Sequence, residues 1–176
     1  MNLSSFSHGQ VKSKIWLAEN LEKYLGNNIA VLGSWYNLTA FILKTRGYKG
    51  TILGIDIDPS VKEIANIVCS CWYIEGEVDN ITDDVTKIPL THETIINCSS
   101  EHMPIDWFNN VAAGRLVCIQ SSNMVDDKDP WYVVNPSPTI ESFAEKYPLS
   151  KTLFLDTLRI QYADWGYDRY MLIGYK

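Results

Sequence analysis

The chain has 176 residues, of which 46% are hydrophobic and 20% charged, and its formal net charge is −6 at pH 7. This length predicts one domain over residues 1–176, with enough apolar side chains for a hydrophobic core. The acidic charge argues against tight, nonspecific nucleic-acid binding, which depends on neutralising phosphates. No apolar run reaches the roughly 18 residues of a membrane span, and the N-terminus lacks the pattern of a signal peptide. We therefore expect a cytoplasmic protein with no membrane partner.

The four cysteines are consistent with a reducing compartment. Cys69 and Cys71 are separated by one residue, and Cys98 and Cys118 fall inside apolar, strand-like runs. Buried, reduced thiols are the ordinary form of such cysteines in the cytoplasm. Because the sequence has no Cys-x-x-Cys pair and no histidine cluster, we expect no structural metal.

The first predicted element is an amphipathic helix over residues 9–25, where apolar side chains recur at helical spacing. Ser7 and Gln10 match a capping box before it, and Gly26 is expected to end it. This N-terminal segment, residues 1–26, is expected to cover the rest of the domain.

A βαβ unit follows the N-terminal helix. Two short β-branched apolar runs, residues 29–32 and 51–55, are separated by a helical pattern over 37–46. Parallel strands joined by a helix place their carboxyl ends at one edge of a sheet, and ligands bind at that edge.

The residues that follow these two strands suggest the kind of ligand. Gly33 and Ser34 form a small turn after the first strand, and Asp56 ends the second, where an acid can hold ribose hydroxyls. The alternative is that Asp56 only caps the next turn. Trp35 and Tyr36 stand where a dinucleotide fingerprint has glycines, so the pattern favours a nucleoside with a small, phosphate-free tail.

The remaining elements follow in chain order. Asp58 and Pro59 are expected to start a third helix, as N-cap and first helical residue, that runs to about Val68. The other predicted elements are strands at 71–75, 94–98 and 115–120, a short helix at 105–112, a loop at 121–138, a helix from Thr139 to Tyr147, and strands at 151–161 and 168–175. The last two strands are expected to form an antiparallel hairpin around residues 164–167.

This order predicts the fold class. Alternating strands and helices followed by a hairpin indicate an α/β protein with a Rossmann-like, doubly wound, mainly parallel seven-stranded sheet and a C-terminal antiparallel hairpin. No internal repeat or linker interrupts the pattern, so one domain is expected.

The motifs in this order resemble class I S-adenosylmethionine-dependent methyltransferases over nearly the whole chain. The turn at Gly33, the acid Asp56 and the terminal hairpin correspond to that family. The resemblance implies that Asp84, after the third strand, hydrogen-bonds the adenine. It also implies that Asn97 and Cys98, at the end of the fourth strand, face the methyl donor, together with Ser34 and Trp35 in the first turn.

A narrower resemblance concerns small, mostly uncharacterised methyltransferase-like proteins common in tailed-phage genomes. It rests on the segment from Gly9 to Leu17, the turn from Val31 to Tyr36 and the segment from Asn97 to Met103. The chain departs from the larger family in its first motif, which usually carries two or three glycines and here keeps only Gly33.

The resemblance implies S-adenosylmethionine as cofactor and methyl transfer to a small molecule or nucleotide. Few added elements exist to recognise a polymer, so nucleic acid is possible as an acceptor but is not favoured. Two alternatives stay open, an RNA or tRNA methyltransferase and a non-catalytic S-adenosylmethionine-binding protein. A nicotinamide-dependent oxidoreductase would need the missing glycines. We expect a monomer or a loose dimer.

The candidate catalytic residues are His102, Glu101 and Lys14. Glu101 and His102 form an adjacent acid–imidazole pair on a loop at the carboxyl end of a central strand. Histidine titrates near neutrality, so His102, oriented by Glu101 or a carbonyl, is expected to accept the proton of the acceptor. The alternative is a surface loop whose Glu101 caps the helix near Pro104. The acceptor is expected to enter near Gln10, Lys14 and His102.

Several tryptophans lie near predicted loops or helix starts on this side of the sheet. We expect Trp16 and Trp35 to line the site, where an aromatic wall suits a planar acceptor or a sulfonium. Trp107, Trp131 and Trp165 lie in similar positions, but core packing explains most aromatic residues more simply, so only Trp16 and Trp35 are assigned to the site.

Overall fold

A single sheet of seven strands organises the protein. The computed structural model describes residues 2–124 and 133–176. The strands are β1 (Asn28–Leu32), β2 (Thr51–Asp56), β3 (Val78–Thr82), β4 (Thr94–Asn97), β5 (Leu116–Ser122), β6 (Lys151–Gln161) and β7 (Gly166–Tyr175). Their order is β3-β2-β1-β4-β5-β7-β6; β7 runs antiparallel to both of its neighbours, and the other pairs are parallel. The predicted fold class and the terminal hairpin are therefore confirmed.

Helices cover both faces of this sheet. They are α1 (His8–Leu21), α2 (Leu38–Thr45), α3 (Lys62–Val68), α4 (Ser70–Ile74), α5 (Asp106–Asn109) and α6 (Ile140–Glu145), with 3-10 turns at Leu3–Phe6, Glu22–Tyr24 and Ser100–His102. Among the described residues, no helix is long and apolar enough to cross a membrane.

The core has two layers because side chains of a strand alternate between faces. In β1, Ile29 and Val31 pack with α1 and α2, whereas Ala30 and Leu32 pack on the opposite face with Trp107 of α5. This alternation explains why the central strands read as continuous apolar runs: both of their faces are covered.

The third strand was predicted at the wrong place. Residues 71–74 belong to helix α4, Glu75 is its C-cap, and the strand is Val78–Thr82. The strand was missed because its inward position Asn80 is polar. The Asn80 side chain is buried and satisfied by amide hydrogen bonds with Asn37 and Asn66.

Two predicted helix starts also differ from the structure. Ser7 precedes α1 but makes no side-chain capping bond, and α1 ends at Leu21, before Gly26. Helix α3 begins at Lys62, because the Asp58 carboxylate accepts instead from the Ser60 amide within a turn. By contrast, the predicted cap at Thr139 is confirmed as part of a capping box.

Smaller differences concern the second half of the chain. The helix expected at 105–112 is the single turn Asp106–Asn109, and β5 extends through Ser122 into the predicted loop. Residues 125–132 of that loop lie outside the described part of the structure. Three cysteines are buried as expected, whereas Cys71 is exposed on α4.

Candidate functional site

A cavity of about 850 Å³ lies at the carboxyl edge of the parallel strands. Its walls come from the segments that follow β1, β2 and β4, and from the N-terminal segment, α1 and the β6–β7 hairpin. A smaller cavity of about 160 Å³ shares part of this wall and extends it to residues 83–86, after β3. The shared residues are Gly33, Asp56, Ile57, His102 and Met103.

The turn after β1 has an unusual backbone. Gly33, Trp35 and Asn37 all adopt positive φ, at 56°, 50° and 51°. Only glycine adopts this conformation without a steric cost, so the surrounding structure must hold Trp35 and Asn37 in place. A Cβ at Gly33 would also lie 2.9 Å from Met103 Cε, so the end of the Met103 side chain would have to move.

Hydrogen bonds to neighbouring strands hold this turn. The Ser34 amide donates to the Ile55 carbonyl at 3.1 Å, and the Trp35 amide donates to Asp56 Oδ2 at 2.8 Å. The Asn37 side chain donates to Asn80 of β3. The first turn is thereby tied through its backbone to the end of β2 and through the Asn37 side chain to the middle of β3.

Asp56 is oriented by two backbone amides. Besides the Trp35 amide on Oδ2, its Oδ1 accepts from the Asp58 amide at 3.0 Å. A carboxylate has about four acceptor positions, so two are left for a ligand. Asp56 thus both joins the two turns and lines both cavities.

Asp84 lies in the wall of the smaller cavity, as part of a local network. Its carboxylate pairs with Lys87 at 2.8 Å and accepts from the hydroxyl and amide of Thr86. These contacts lower the pKa of Asp84 to about 2, and the hydrogen bond from Lys87 has the largest effect. The side chain is therefore ionised and fixed at neutral pH.

Asn97 and Cys98, at the end of β4, have different surroundings. Cys98 lines the larger cavity, but Asn97 lines neither cavity. The buried Asn97 side chain instead accepts from the Ser99 amide and donates to Met103 Sδ. Asn97 therefore shapes the loop against Gly33 and is not brought to the cavity surface, contrary to the expectation that it faces the donor.

A buried ion pair that the sequence analysis missed lies in the cavity wall. Arg169 and Glu101 are only 4% and 2% exposed, and Arg169 Nη1 donates to Glu101 Oε1 at 2.5 Å. Arg169 Nη2 also donates to the Cys98 carbonyl. The available signal was an arginine directly before the mostly apolar run 170–173 of β7; Arg169 pairs in register with Ser122 of β5.

This pair changes the interpretation of Glu101. His102 Nε2 is 3.9 Å from Glu101 Oε1, beyond hydrogen-bond distance, and the His102 side chain is 37% exposed. Glu101 therefore does not orient the imidazole as predicted, and no capping bond joins it to α5. His102 lies at the border between the two cavities.

Lys14 of α1 is the other cationic group in the larger cavity. Its amine donates to Gln10 Oε1 at 2.5 Å, and Cys98, Glu101 and Arg169 are close enough to influence its charge. Burial is the main effect and lowers the pKa of Lys14 to about 8; Cys98 and Glu101 oppose this effect, and Arg169 adds to it. An amine with this pKa is neutral in a substantial fraction of molecules near pH 8 and can accept a proton.

The tryptophans divide differently from the prediction. Trp35 lines the larger cavity as predicted, and so does Trp165 in the hairpin turn, which the prediction left out. Trp16 lines neither cavity and packs edge-on against Phe154 of β6. Trp107 is fully buried in the core, and Trp131 lies outside the described residues.

Comparison with known proteins identifies the fold. The sequence matches no protein-family model and no curated protein. The structure, however, is similar to many solved structures. One is MccD protein, with a TM-score of 0.72 and 10% identity over 96% of this chain and 98% of that one.

Two other similar structures have named sources. Magnesium protoporphyrin IX methyltransferase from Synechocystis, solved with bound SAM, has a TM-score of 0.61 and 11% identity over 94% of this chain and 78% of that one. TehB from Haemophilus influenzae has a TM-score of 0.65 and 13% identity over 96% of this chain and 62% of that one. The chain has the fold of class I S-adenosylmethionine-dependent methyltransferases.

Proposed function

We propose that the protein transfers a methyl group from S-adenosylmethionine to a small-molecule acceptor. The observation that carries this proposal is that Gly33 and Asp56 meet in the wall of one cavity, at the carboxyl edge of β1 and β2. Nucleoside ligands bind at this position in open α/β sheets, because strand ends leave backbone and side-chain groups free there. Similar structures, including one solved with bound SAM, support the choice of donor.

The two cavities match the two ends of the donor. Asp56 would accept the ribose hydroxyls, and the smaller cavity, lined by Ile57, Asp84 and Val85, would hold the adenine. The methionine part would lie along Ser34 and Trp35 of the first turn, as the resemblance implies. When bound, S-adenosylmethionine supplies a methyl group activated by its sulfonium.

The larger cavity also has room for an acceptor. Its volume of about 850 Å³ is near the upper end of the roughly 300–1,000 Å³ that single-ligand pockets occupy. Residues 2–7 form part of its wall, which restricts the size of what can enter. Among the described residues, the lysine and arginine side chains of the lining are Lys14 and Arg169, and Arg169 is paired with Glu101. The described lining therefore lacks the cluster of cations that a nucleic-acid backbone requires.

Among the predicted catalytic residues, we infer that Lys14 is the base. It lies inside the larger cavity near Cys98 and Glu101, whereas His102 borders the cavity assigned to adenine. Glu101 is engaged with Arg169 and acts as a positioning residue. Methyl transfer itself is a displacement that depends mainly on holding donor and acceptor in line.

The donor proposal is tested by titrating the protein with S-adenosylhomocysteine in a calorimeter, with NADH as the comparison ligand. We expect binding of S-adenosylhomocysteine and none of NADH, because the first turn lacks the glycines that admit a pyrophosphate. Absence of S-adenosylhomocysteine binding at millimolar concentration would refute the proposal. Binding without turnover on any acceptor would favour the non-catalytic alternative, and turnover only on RNA would favour the nucleic-acid alternative.

The base assignment is tested with Lys14→Met and His102→Ala. Removing a general base lowers turnover by about 10²–10⁴-fold, and we expect this loss for Lys14→Met with little change in donor affinity. Lys12→Met, on the same helix but outside the cavity lining, is the matched control. If His102→Ala carries the loss and Lys14→Met does not, the base is His102.

Three further expectations stay predictions. The relation to phage-type methyltransferase-like proteins, the cytoplasmic location and the monomeric or loosely dimeric state all rest on the sequence. Gel filtration with light scattering measures the last of these directly.

A further inference from the structure

Three stacked aromatic rings from the β6–β7 hairpin line the larger cavity. The Tyr162 and Trp165 rings are 4.5 Å apart and nearly parallel at 12°, and Tyr167 stacks on Trp165 at 6.0 Å and 22°. The turn holds them, since the Tyr162 amide donates to the Trp165 carbonyl at 2.8 Å. The rings occupy one another's faces, but Trp165 remains 52% exposed, so the outer surface of the stack is available to a flat, apolar partner.

Helix α1 fixes the position of this aromatic wall. The Gly9 amide donates to Tyr162 Oη at 3.1 Å, and a Cβ at Gly9 would lie 2.5 Å from Tyr167 Oη. Only glycine therefore allows the hydroxyl ends of both tyrosines to approach α1 this closely. Because Lys14 lies on the same helix, its amine and the aromatic wall are held in a defined relation.

Three described ionisable groups of the lining, Lys14, Glu101 and Arg169, together carry one positive charge when Lys14 is protonated. Arg169 and Glu101 neutralise each other in their buried pair, and the described partner of the Lys14 amine is the neutral Gln10 amide oxygen. This arrangement can balance one negative charge that develops on an acceptor. A phosphorylated acceptor would bring more negative charge than Lys14 can balance, and an alkylammonium would place a second cation beside it.

From this geometry we propose that the acceptor is a small phenol, methylated on its hydroxyl oxygen, with its ring against the Tyr162–Trp165–Tyr167 wall; this rests on the proposed function. The neutral Lys14 amine takes the phenol proton and becomes an ammonium. The phenol oxygen then forms a bond to the methyl carbon while the carbon–sulfur bond of the donor breaks and its electron pair stays on sulfur. The products are an aryl methyl ether, S-adenosylhomocysteine and a proton, which Lys14 releases to solvent.

The test compares matched acceptors with S-adenosylmethionine and measures the methylated product by mass spectrometry. The probes are 4-methylphenol and 2-naphthol, against cyclohexanol and cyclohexylamine. We expect turnover of the phenols to exceed that of the alicyclic compounds by at least tenfold. Because burial lowers the pKa of Lys14 to about 8, kcat/KM for the phenols should rise with pH through about 8.

Two variants separate the contributions of wall and base. In Trp165→Leu we expect the KM for 2-naphthol to rise by about 2- to 12-fold. This range corresponds to the loss of an aromatic contact worth about 0.5–1.5 kcal/mol. Tyr73→Leu, an exposed aromatic residue of α4 outside the cavity, is the control. Lys14→Arg keeps the charge but cannot accept a proton, so turnover of the phenols should fall by about 10²–10⁴-fold, as in Lys14→Met.

The outcomes distinguish this inference from the proposed function. If S-adenosylhomocysteine binds but cyclohexanol or cyclohexylamine is methylated as fast as the phenols, the acceptor class is wrong and the methyltransferase proposal stands. Full activity of Lys14→Arg on phenols would also refute the proton transfer to Lys14. If S-adenosylhomocysteine does not bind, both proposals fail together.

Discussion

Replacement of Asp56 by alanine tests the centre of the proposed donor site. In that site the carboxylate accepts hydrogen bonds from the ribose, and bonds to a charged group contribute about 1.5–3 kcal/mol. The expected consequence is a rise of about 10- to 150-fold in the Kd of S-adenosylhomocysteine. The assay is calorimetric titration at one pH and salt concentration.

The same substitution has a structural cost that the design must separate from binding. Asp56 accepts from the amides of Trp35 and Asp58, and each lost bond costs about 1 kcal/mol. For a chain of this size about 2 kcal/mol corresponds to a decrease in Tm of about 4–8 °C. Asp56→Asn keeps one carbonyl oxygen as acceptor, so its Tm should fall less than that of Asp56→Ala. It should still lose most of the affinity for S-adenosylhomocysteine.

A matched control shows whether loss of a carboxylate outside the cavities also changes donor binding. Asp156 on the exposed edge strand β6 also accepts a backbone amide, from Thr157 at 2.8 Å, but lies outside both cavities. Asp156→Ala should leave the Kd unchanged. Wild-type affinity in Asp56→Ala would refute the ribose role and with it the argument from the strand ends.

Two further predictions concern the framework of the site. Gly33→Ala should destabilise the protein by about 1–2 kcal/mol, measured as a lower midpoint in urea, since φ is positive and the new Cβ would contact Met103; an unchanged midpoint would contradict the strained turn. Arg169→Met should lower the free energy of unfolding by about 3–5 kcal/mol, because it leaves Glu101 buried and unpaired. Arg159→Met, which breaks the exposed pair with Asp168, should lower it by at most about 1 kcal/mol. Equal effects of these two substitutions would show that the buried pair has no special role.

Much of the fold follows from local patterns in the sequence. The β-branched runs at β1, β2, β4 and β5 and the terminal hairpin are visible because burial on both faces requires continuous apolar side chains. The small turn at Gly33 and the acid at Asp56 could also be assigned to one site from the sequence, because a parallel sheet brings the ends of its strands to one edge. Strand β3 was missed because its inward Asn80 is polar, and only its amide partners on other elements show why burial is tolerated.

The interior of the site was decided by tertiary structure. Adjacency in the sequence paired Glu101 with His102, but Glu101 turns instead to Arg169, 68 residues away, because a buried carboxylate needs a close cation. Likewise, only the packing of the hairpin against α1 brings Trp165 and Lys14 to one cavity while Trp16 packs on β6. The sequence by itself determined the fold class, the strands other than β3, and the sheet edge at which the proposed ligand site lies. The charges and rings that face the ligand depend on contacts between distant segments, which local patterns do not encode.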